Sequence, residues 1–296
     1  MLSILIPTFN HNIVSLVKEL HEQVVHADIV FEIVCLDDAS TLFVAENQTI
    51  TQFSNTHYEI LDNNVGRSKI RNLLAQKAKY DWLLYLDADV VPKDADFIKR
   101  YLPFLNDEIK IVNGGLEYEP KKPENDKLLR WYYGKEREAL SADKREKAPY
   151  ISFLTLNFLI HKSLFEQVHF NEDIPNLLHE DTLFSYNLMQ RQIPIKHINN
   201  PIYHLGLDTF ENVMRKEHES LFALKNLLDK HLITEEYTKL SRVHQIIRKC
   251  KIRFIVTLMH KLTKSIFLKN LSSQKPSLLI FDLYRLGYFC SIHNIK

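Results

Sequence analysis

The chain has 296 residues, of which 25% are charged and 45% hydrophobic, and its formal net charge is +1 at pH 7. That length makes one large domain, or one domain with an appendage, and needs neither disulfides nor metal to bury a sizeable core. The composition excludes collagen, low-complexity disorder and disulfide-stapled mini-proteins, while the widely spaced Cys35, Cys250 and Cys290 form no CxxC pair, which fits a reducing compartment and argues against a structural zinc knuckle.

The opening MLSILIPTFN runs into a short apolar stretch with no basic leader and no small-residue cleavage site, so no signal peptide is expected. Apolar, β-branched or aromatic runs at 3–6, 30–36, 58–61 and 82–86 have the length and flanking turn residues of buried strands. Between them Ile13, Leu16, Val17, Leu20 and Val24, then Ile70, Leu73 and Leu74, recur at helical spacing. The alternation predicts an α/β domain with a mainly parallel sheet and a ligand site at the strands' carboxyl ends. Further strands are expected at 110–118 and 151–160, separated by a Lys/Glu-rich segment at 120–149 that reads as helical or mobile. A helix over 179–191 and a late strand over 195–204 follow. Beyond Asp208 the pattern is helical: 210–230, then 235–268 as one long helix, then a last helix after Pro276. No uncharged apolar stretch reaches membrane-spanning length, since the candidate near 278–289 is broken by Asp282 and Arg285. The expected location is cytoplasmic, or peripheral on the inner face of the cell membrane.

The small net charge hides an asymmetry: residues 1–214 sum to −9 and residues 215–296 to +10. An acidic body with a basic tail suggests a metal-using site in the first and an anionic surface near the second, with a solvated helical face as the plainer reading of the tail.

Polar residues gather where each predicted strand ends: Pro7, Thr8 and Asn10 after the first, Asp37 and Asp38 after the second, Gly66, Arg67 and Arg71 after the third, Asp87 and Asp89 after the fourth. In a doubly wound sheet these ends converge on one crevice. Two carboxylates flanking Ala88 at a buried strand end would repel each other, and a hard divalent cation, Mg²⁺ or Mn²⁺, resolves that by bridging them to substrate phosphates. The bland reading is an Asp turn or helix cap. An Asp after the second strand suits a ribose hydroxyl or a base N–H, with an N-cap as the structural alternative.

The ordered set ILIPTFN, VCLDDAS, NNVGRSKIRN and YLDAD, followed by Asn113-Gly114-Gly115, LNFLI at 156–160 and HEDTLF at 179–184, resembles the family 2 glycosyltransferases over roughly residues 1–205. The resemblance implies a GT-A type fold, an α/β/α sandwich with a mostly parallel sheet, over a catalytic domain at 1–207 (nucleotide half 1–118, acceptor half 119–207). Residues 208–296 would then be a helical basic extension. It implies that Pro7, Thr8 and Asn10 line the nucleotide pocket, with Asp38, and Asp37 beside it, contacting the uracil or ribose. Gly66 would allow close backbone approach, and Arg67 or Arg71 would steady the nucleotide. Asp87 would face ribose and metal, and Asp89 would bind the metal holding the diphosphate. His204 resembles a third metal ligand, against the plainer reading of a structural hydrogen-bonder. The Glu180-Asp181 pair matches the acidic motif on the acceptor side, Asp181 as general base and Glu180 orienting an acceptor hydroxyl, in a single inverting displacement. A carboxylate in reach of a hydroxyl can take its proton as it attacks, although both residues could simply begin a helix. His179 departs from the family, which often has Gly there. Trp131, Tyr132 and Tyr133 could stack on sugars or merely pack.

The implied partners are a nucleotide-sugar donor, UDP favoured by resemblance, and a glycan or lipid-linked saccharide acceptor used in surface polysaccharide synthesis. In the tail, Ile247, Cys250, Phe254, Leu258, Leu262 and Ile266 repeat at helical spacing among lysines and arginines. Such a helix can lie on anionic lipid, cap the catalytic domain or form a homodimer seam. Rival readings are a sugar-1-phosphate nucleotidyltransferase, which should carry a Gly-rich loop after the first strand where PTFNHN has none, and a non-catalytic nucleotide-sugar-binding subunit, which has no need of Glu180-Asp181. Nucleic acid is not an expected partner, because the basic tail lacks a recognisable module.

Overall fold

The computed structural model describes residues 1–106, 108–174 and 178–292. The first half alternates strand and helix: β1 (Leu2–Thr8), α1 (Val14–His26), β2 (Phe31–Asp37), α2 (Val44–Gln48), β3 (Thr56–Ile60), α3 (Arg67–Lys77) and β4 (Trp82–Leu86). After β5 (Val90–Pro92), β6 (Ile111–Asn113), β7 (Leu116–Glu117), α4 (Leu128–Tyr133) and α5 (Ala142–Glu146) come β8 (Asn157–His161), α6 (Lys162–Val168), α7 (Glu180–Gln190), β9 (Lys196–His197) and β10 (Ile202–His204). Four helices finish the chain: α8 (Phe210–Asp229), α9 (Lys239–Lys249), α10 (Arg253–Leu271) and α11 (Leu278–Ser291).

A seven-stranded sheet runs β3-β2-β1-β4-β8-β6-β9, with β8 antiparallel to its neighbours β4 and β6 and the other pairings parallel. The order reverses between β1 and β4, and a crevice opens at such a switch point outside the carboxyl ends. Alternate residues serve opposite faces. Leu2, Ile4 and Ile6 of β1 pack with Leu16, Val17, Leu20 and Val24 of α1, while Leu5 joins Ile70 and Leu74 of α3. Both faces of the central strands are therefore dry, which is why they read as continuous apolar runs.

The expected strand at 110–118 is two strands in different sheets. The break is at Gly114-Gly115, where β7 leaves for a small sheet ordered β5-β10-β7. Gly115 has φ +84°, and a Cβ on Gly114 would lie 2.3 Å from the Tyr101 hydroxyl, so neither position tolerates a side chain. The expected strand at 195–204 is likewise divided into β9 and β10, and at 151–160 only β8 forms. The long helix expected over 235–268 is broken into α9 and α10, with Lys251 at φ +59° turning the chain between them.

The tail does not stand apart. Leu221, Leu224, Leu227 and Leu228 of α8 and Phe289 of α11 close over Leu183 and Tyr186 of α7. Met214, Phe281 and Tyr284 close over Leu129 of α4.

Candidate active site

A cleft of about 1150 Å³ opens at the carboxyl ends of β1, β2 and β4. Pro7 and Thr8 line it from β1; the Thr8 carbonyl accepts the Asp38 N–H at 2.8 Å and holds the two strand ends together. Asp38 also lines it, and its carboxylate accepts the N–H groups of Val65 (2.6 Å) and Gly66 (3.0 Å), fixing the loop that starts α3. Gly66 and Arg67 lie on the wall beyond.

Two expected nucleotide contacts do other work. Asp37 is fully buried, its oxygens taken by the Ser40 N–H at 2.7 Å and the Tyr58 hydroxyl at 2.6 Å. Asn10, at φ +48°, accepts the N–H groups of Thr41 (2.8 Å) and Leu42 (3.1 Å) and pins that loop. Neither lines the cleft, since strand ends need their own hydrogen-bond partners and these side chains are the nearest ones.

Arg71 is a strut rather than a reaching arm. Its buried guanidinium donates to Asp87 Oδ1 at 2.8 Å and Glu180 Oε1 at 3.2 Å, joining the end of β4 to the start of α7. Arg67, half-exposed, stands 3.6 Å from the same Glu180 oxygen. Burial works against the charge of Glu180, but Arg71 and Arg67 hold its carboxyl below the usual range. Burial pushes Asp87 up despite Arg71. Asp181, next in the chain, is raised to about 6 by burial and by the Glu180 charge; its Oδ1 accepts the Thr182 N–H at 2.6 Å.

His179 adopts φ +73°, a left-handed conformation that suits glycine, and its ring bridges Thr182 Oγ1 (2.8 Å) and the Ser220 hydroxyl of α8 (2.9 Å). Burial and the nearby Arg285 lower it to about 4, so the ring is neutral at pH 7.

Asp89 sits at the other end of the cleft. His204 Nε2 is 3.1 Å from its Oδ2, and burial is overcome by that partner, which brings the carboxyl down to about 2. A Cβ on Gly206 would lie 2.2 Å from the same oxygen, so the chain passes Asp89 as bare backbone. Behind His204, its Nδ1 meets the Tyr118 hydroxyl at 3.2 Å; Tyr118 donates to Glu138, and Arg130 donates to Glu138 at 3.0 Å. Glu138 ends a single π turn, Gly134–Glu138, closed by the Ala139 N–H on the Gly134 carbonyl at 2.9 Å. Arg130 and Tyr118 hold Glu138 below the usual carboxyl range against its burial, and burial pushes Tyr118 up, so the phenol proton stays toward Glu138.

The donor set at this end of the cleft tests whether a divalent cation suits the site. The Tyr118 hydroxyl anchors His204 through Nδ1, which leaves Nε2 facing the Asp89 carboxylate. An imidazole nitrogen and a carboxylate oxygen side by side on the cleft wall are both metal-ligand types, and a ring held from behind through its other nitrogen is the arrangement of a metal-ligating histidine. The residues fit. Among the described residues no three His, Cys, Asp or Glu side chains converge on one point, so the remaining ligands would be substrate oxygens or water.

One wall was not anticipated from the sequence. Lys216, Glu217 and Ser220 of α8 and Phe281 and Arg285 of α11 line the cleft opposite the strand ends. Arg285 Nε meets Glu217 Oε1 at 2.5 Å, and Lys216 meets Asp208 at 2.6 Å. Tyr133 lines the same side, whereas Trp131 donates to the Glu119 carbonyl and packs on Tyr132.

A doubly wound sheet switching at β1/β4, with acidic groups from β4 and α7 facing one crevice, has the architecture of the GT-A type. Residues 3–169, more than half of the chain, match the Glycosyl transferase family 2 model, and the chain belongs to that family. No curated protein sequence matches it. Among solved structures it is similar to S. aureus TarS 1-349 in complex with UDP, at 18% identity and TM-score 0.51 over 76% of this chain and 65% of that one. A mannosyltransferase from Pyrobaculum calidifontis in complex with GDP-Man and Mn²⁺ superposes with TM-score 0.55 at 15% identity, over 77% of this chain and 64% of that one. Glucosyl-3-phosphoglycerate synthase from Mycobacterium tuberculosis, in complex with Mn²⁺, UDP and glucosyl-3-phosphoglycerate, gives 0.50 at 13%, over 77% and 78%. The chain thus spans slightly less than two thirds of the first two, and these likenesses speak to the fold.

Proposed function

We propose that this glycosyltransferase moves a sugar from a UDP-sugar to a hydroxyl of a glycan or lipid-linked acceptor, with inversion, in surface polysaccharide synthesis. The observation that carries the reading is the Arg71 strut, which fixes two acidic centres, Asp87 by the Asp89–His204 pair and Glu180 by Asp181, on one cleft. The structural relatives crystallised with UDP or GDP-Man, two of them with Mn²⁺, support a nucleotide-sugar donor and a divalent cation.

Asp38 sets the loop against which the nucleoside lies, with Pro7 and Thr8 beneath it and Arg67 at the cleft wall near the diphosphate. Asp89 and His204 would hold the cation, with Asp87 toward the ribose. When bound, the cation offsets the charge that develops on the leaving nucleoside diphosphate. Asp181 takes the proton from the acceptor hydroxyl as its oxygen attacks the anomeric carbon. A carboxyl raised to about 6 is a stronger base than an ordinary aspartate and is still ionised at neutral pH. Glu180, held by Arg71 and Arg67, keeps the start of α7 in place.

Calorimetric titration of UDP with and without Mn²⁺, on wild type and Asp89→Ala, tests this. Metal-dependent binding that disappears in the variant is the expected result. No UDP binding in either condition sinks the UDP assignment, and GDP and dTDP would then be titrated.

A further inference from the structure

Helix α10 inverts the usual arrangement of a surface helix. Its buried side chains are His260 and Leu271 alone, while Phe254, Ile255, Leu258, Met259, Leu262 and Ile266 are exposed along one face, Phe254 by 77% and Ile266 by 69%. Helix α11 runs antiparallel beside it, with Arg253 donating to the Cys290 carbonyl at one end and Leu271 packed with Phe281 at the other, and it adds exposed Leu279 and Leu283. Isolated exposed hydrophobics are ordinary, but a continuous row of this kind marks a surface that meets something apolar.

Charge identifies the occupant. Between Glu236 and Asp282 the chain has no acidic residue and ten basic ones. Of these, Lys249, Lys251, Lys261, Lys264 and Lys269 are exposed around the apolar row. A second copy would set two cationic faces against each other, which like-charge repulsion opposes. An anionic bilayer complements both features, because the apolar side chains enter the acyl boundary while the ammonium groups meet lipid phosphates.

We propose that the α10–α11 face docks this protein on an anionic lipid bilayer. Phe281 and Arg285 of α11 line the cleft, while Leu279 and Leu283 of the same helix are exposed. The docked face and the cleft wall are therefore two sides of one helix, and an acceptor carried by lipid would reach the cleft beside the surface that holds it.

The test is sedimentation of the full chain with vesicles of phosphatidylcholine alone and of phosphatidylcholine mixed with phosphatidylglycerol. Binding is expected to the anionic vesicles, falling with added salt, and little to the neutral ones. The triple variant Phe254→Ser, Leu262→Ser, Ile266→Ser should lower the partition coefficient about tenfold or more. The variant Lys261→Gln, Lys264→Gln, Lys269→Gln should weaken anionic binding and flatten its salt dependence. Circular dichroism checks that both sets leave the fold intact. Wild type that sediments with neither vesicle overturns the proposal, as does a serine variant that binds like wild type. A wild-type dimer that the serine variant converts to monomer, without vesicle binding, assigns the face to a second copy instead. The readout needs neither donor nor turnover, so its failure leaves the transferase reading standing, and the converse holds.

Discussion

Helices α8 and α10 belong to the same basic tail and have nearly equal lengths, 20 and 19 residues, yet they use their apolar residues in opposite ways. Helix α8 turns Leu221, Leu224, Leu227 and Leu228 onto α7 and sends Lys216, Glu217 and Ser220 into the cleft. Helix α10 buries almost nothing and shows its apolar row to solvent. Periodicity is blind to this difference, because an amphipathic pattern states that one face is apolar and not what lies against it. The tail is therefore two devices: an inner pair of surfaces that completes the cleft, and an outer one that faces away from it.

The inner side is broken hardest at the residue α8 helps to hold. Asp181→Asn, with α7 anchored through His179 and Ser220, should lower kcat about 10²–10⁴-fold while leaving UDP affinity and vesicle binding unchanged. Steady-state kinetics beside calorimetry checks it; unaltered kcat would remove Asp181 from the chemistry. Next comes packing. Phe289→Ala, at a fully buried side chain between α11 and the α7–α8 cluster, should cost about 3–5 kcal/mol in denaturant unfolding. A loss below about 1 kcal/mol would mean that the tail is only loosely laid on the body.

A pH profile sharpens the inner side further. Glu180, Arg71 and, from the tail, Tyr237 are the charged or titratable groups around Asp181. The base must be ionised, and its pKa of about 6 lies above that of an ordinary aspartate. Activity should therefore be full at neutral pH and fall about tenfold per pH unit below about 6. A limb starting near 4 would contradict the burial of Asp181. The smallest effect belongs to the outer side: Phe254→Ala should change stability by less than about 0.5 kcal/mol, because its ring is 77% exposed. A clear destabilisation would show that α10 packs where it is described as open.

The strands β1, β2 and β4 were legible because a strand dry on both faces writes itself as an apolar run, and the polar residues ending it are the ones a crevice collects. Residue types were thus readable, but partners were not. Arg71 looks like a phosphate ligand by type, and only its burial between Asp87 and Glu180 makes it a strut. Asp37 and Asp38 are adjacent and chemically identical; the alternation of β2 sends one into Tyr58 and leaves the other on the cleft. The wall from Lys216, Glu217 and Arg285 was hidden by sequence distance, as was the line from Arg130 through Glu138 and Tyr118 to His204. The break in the helix expected over 235–268 was hidden too: Lys251, whose left-handed turn separates α9 from α10, stands among Arg248, Lys249 and Arg253 and interrupts no charge pattern.

The π turn at 134–138 amounts to one residue more than a regular helical coil would hold. Deleting one residue there would restore ordinary winding and shift the Glu138 carboxylate along the helix, away from the Tyr118 hydroxyl and the Arg130 guanidinium that donate to it. The Tyr118 hydroxyl would then lose its acceptor, and the group that anchors His204 through Nδ1 would no longer be held. A length change of a single residue, some 66 positions away in sequence and touching no predicted ligand, would be felt at Asp89.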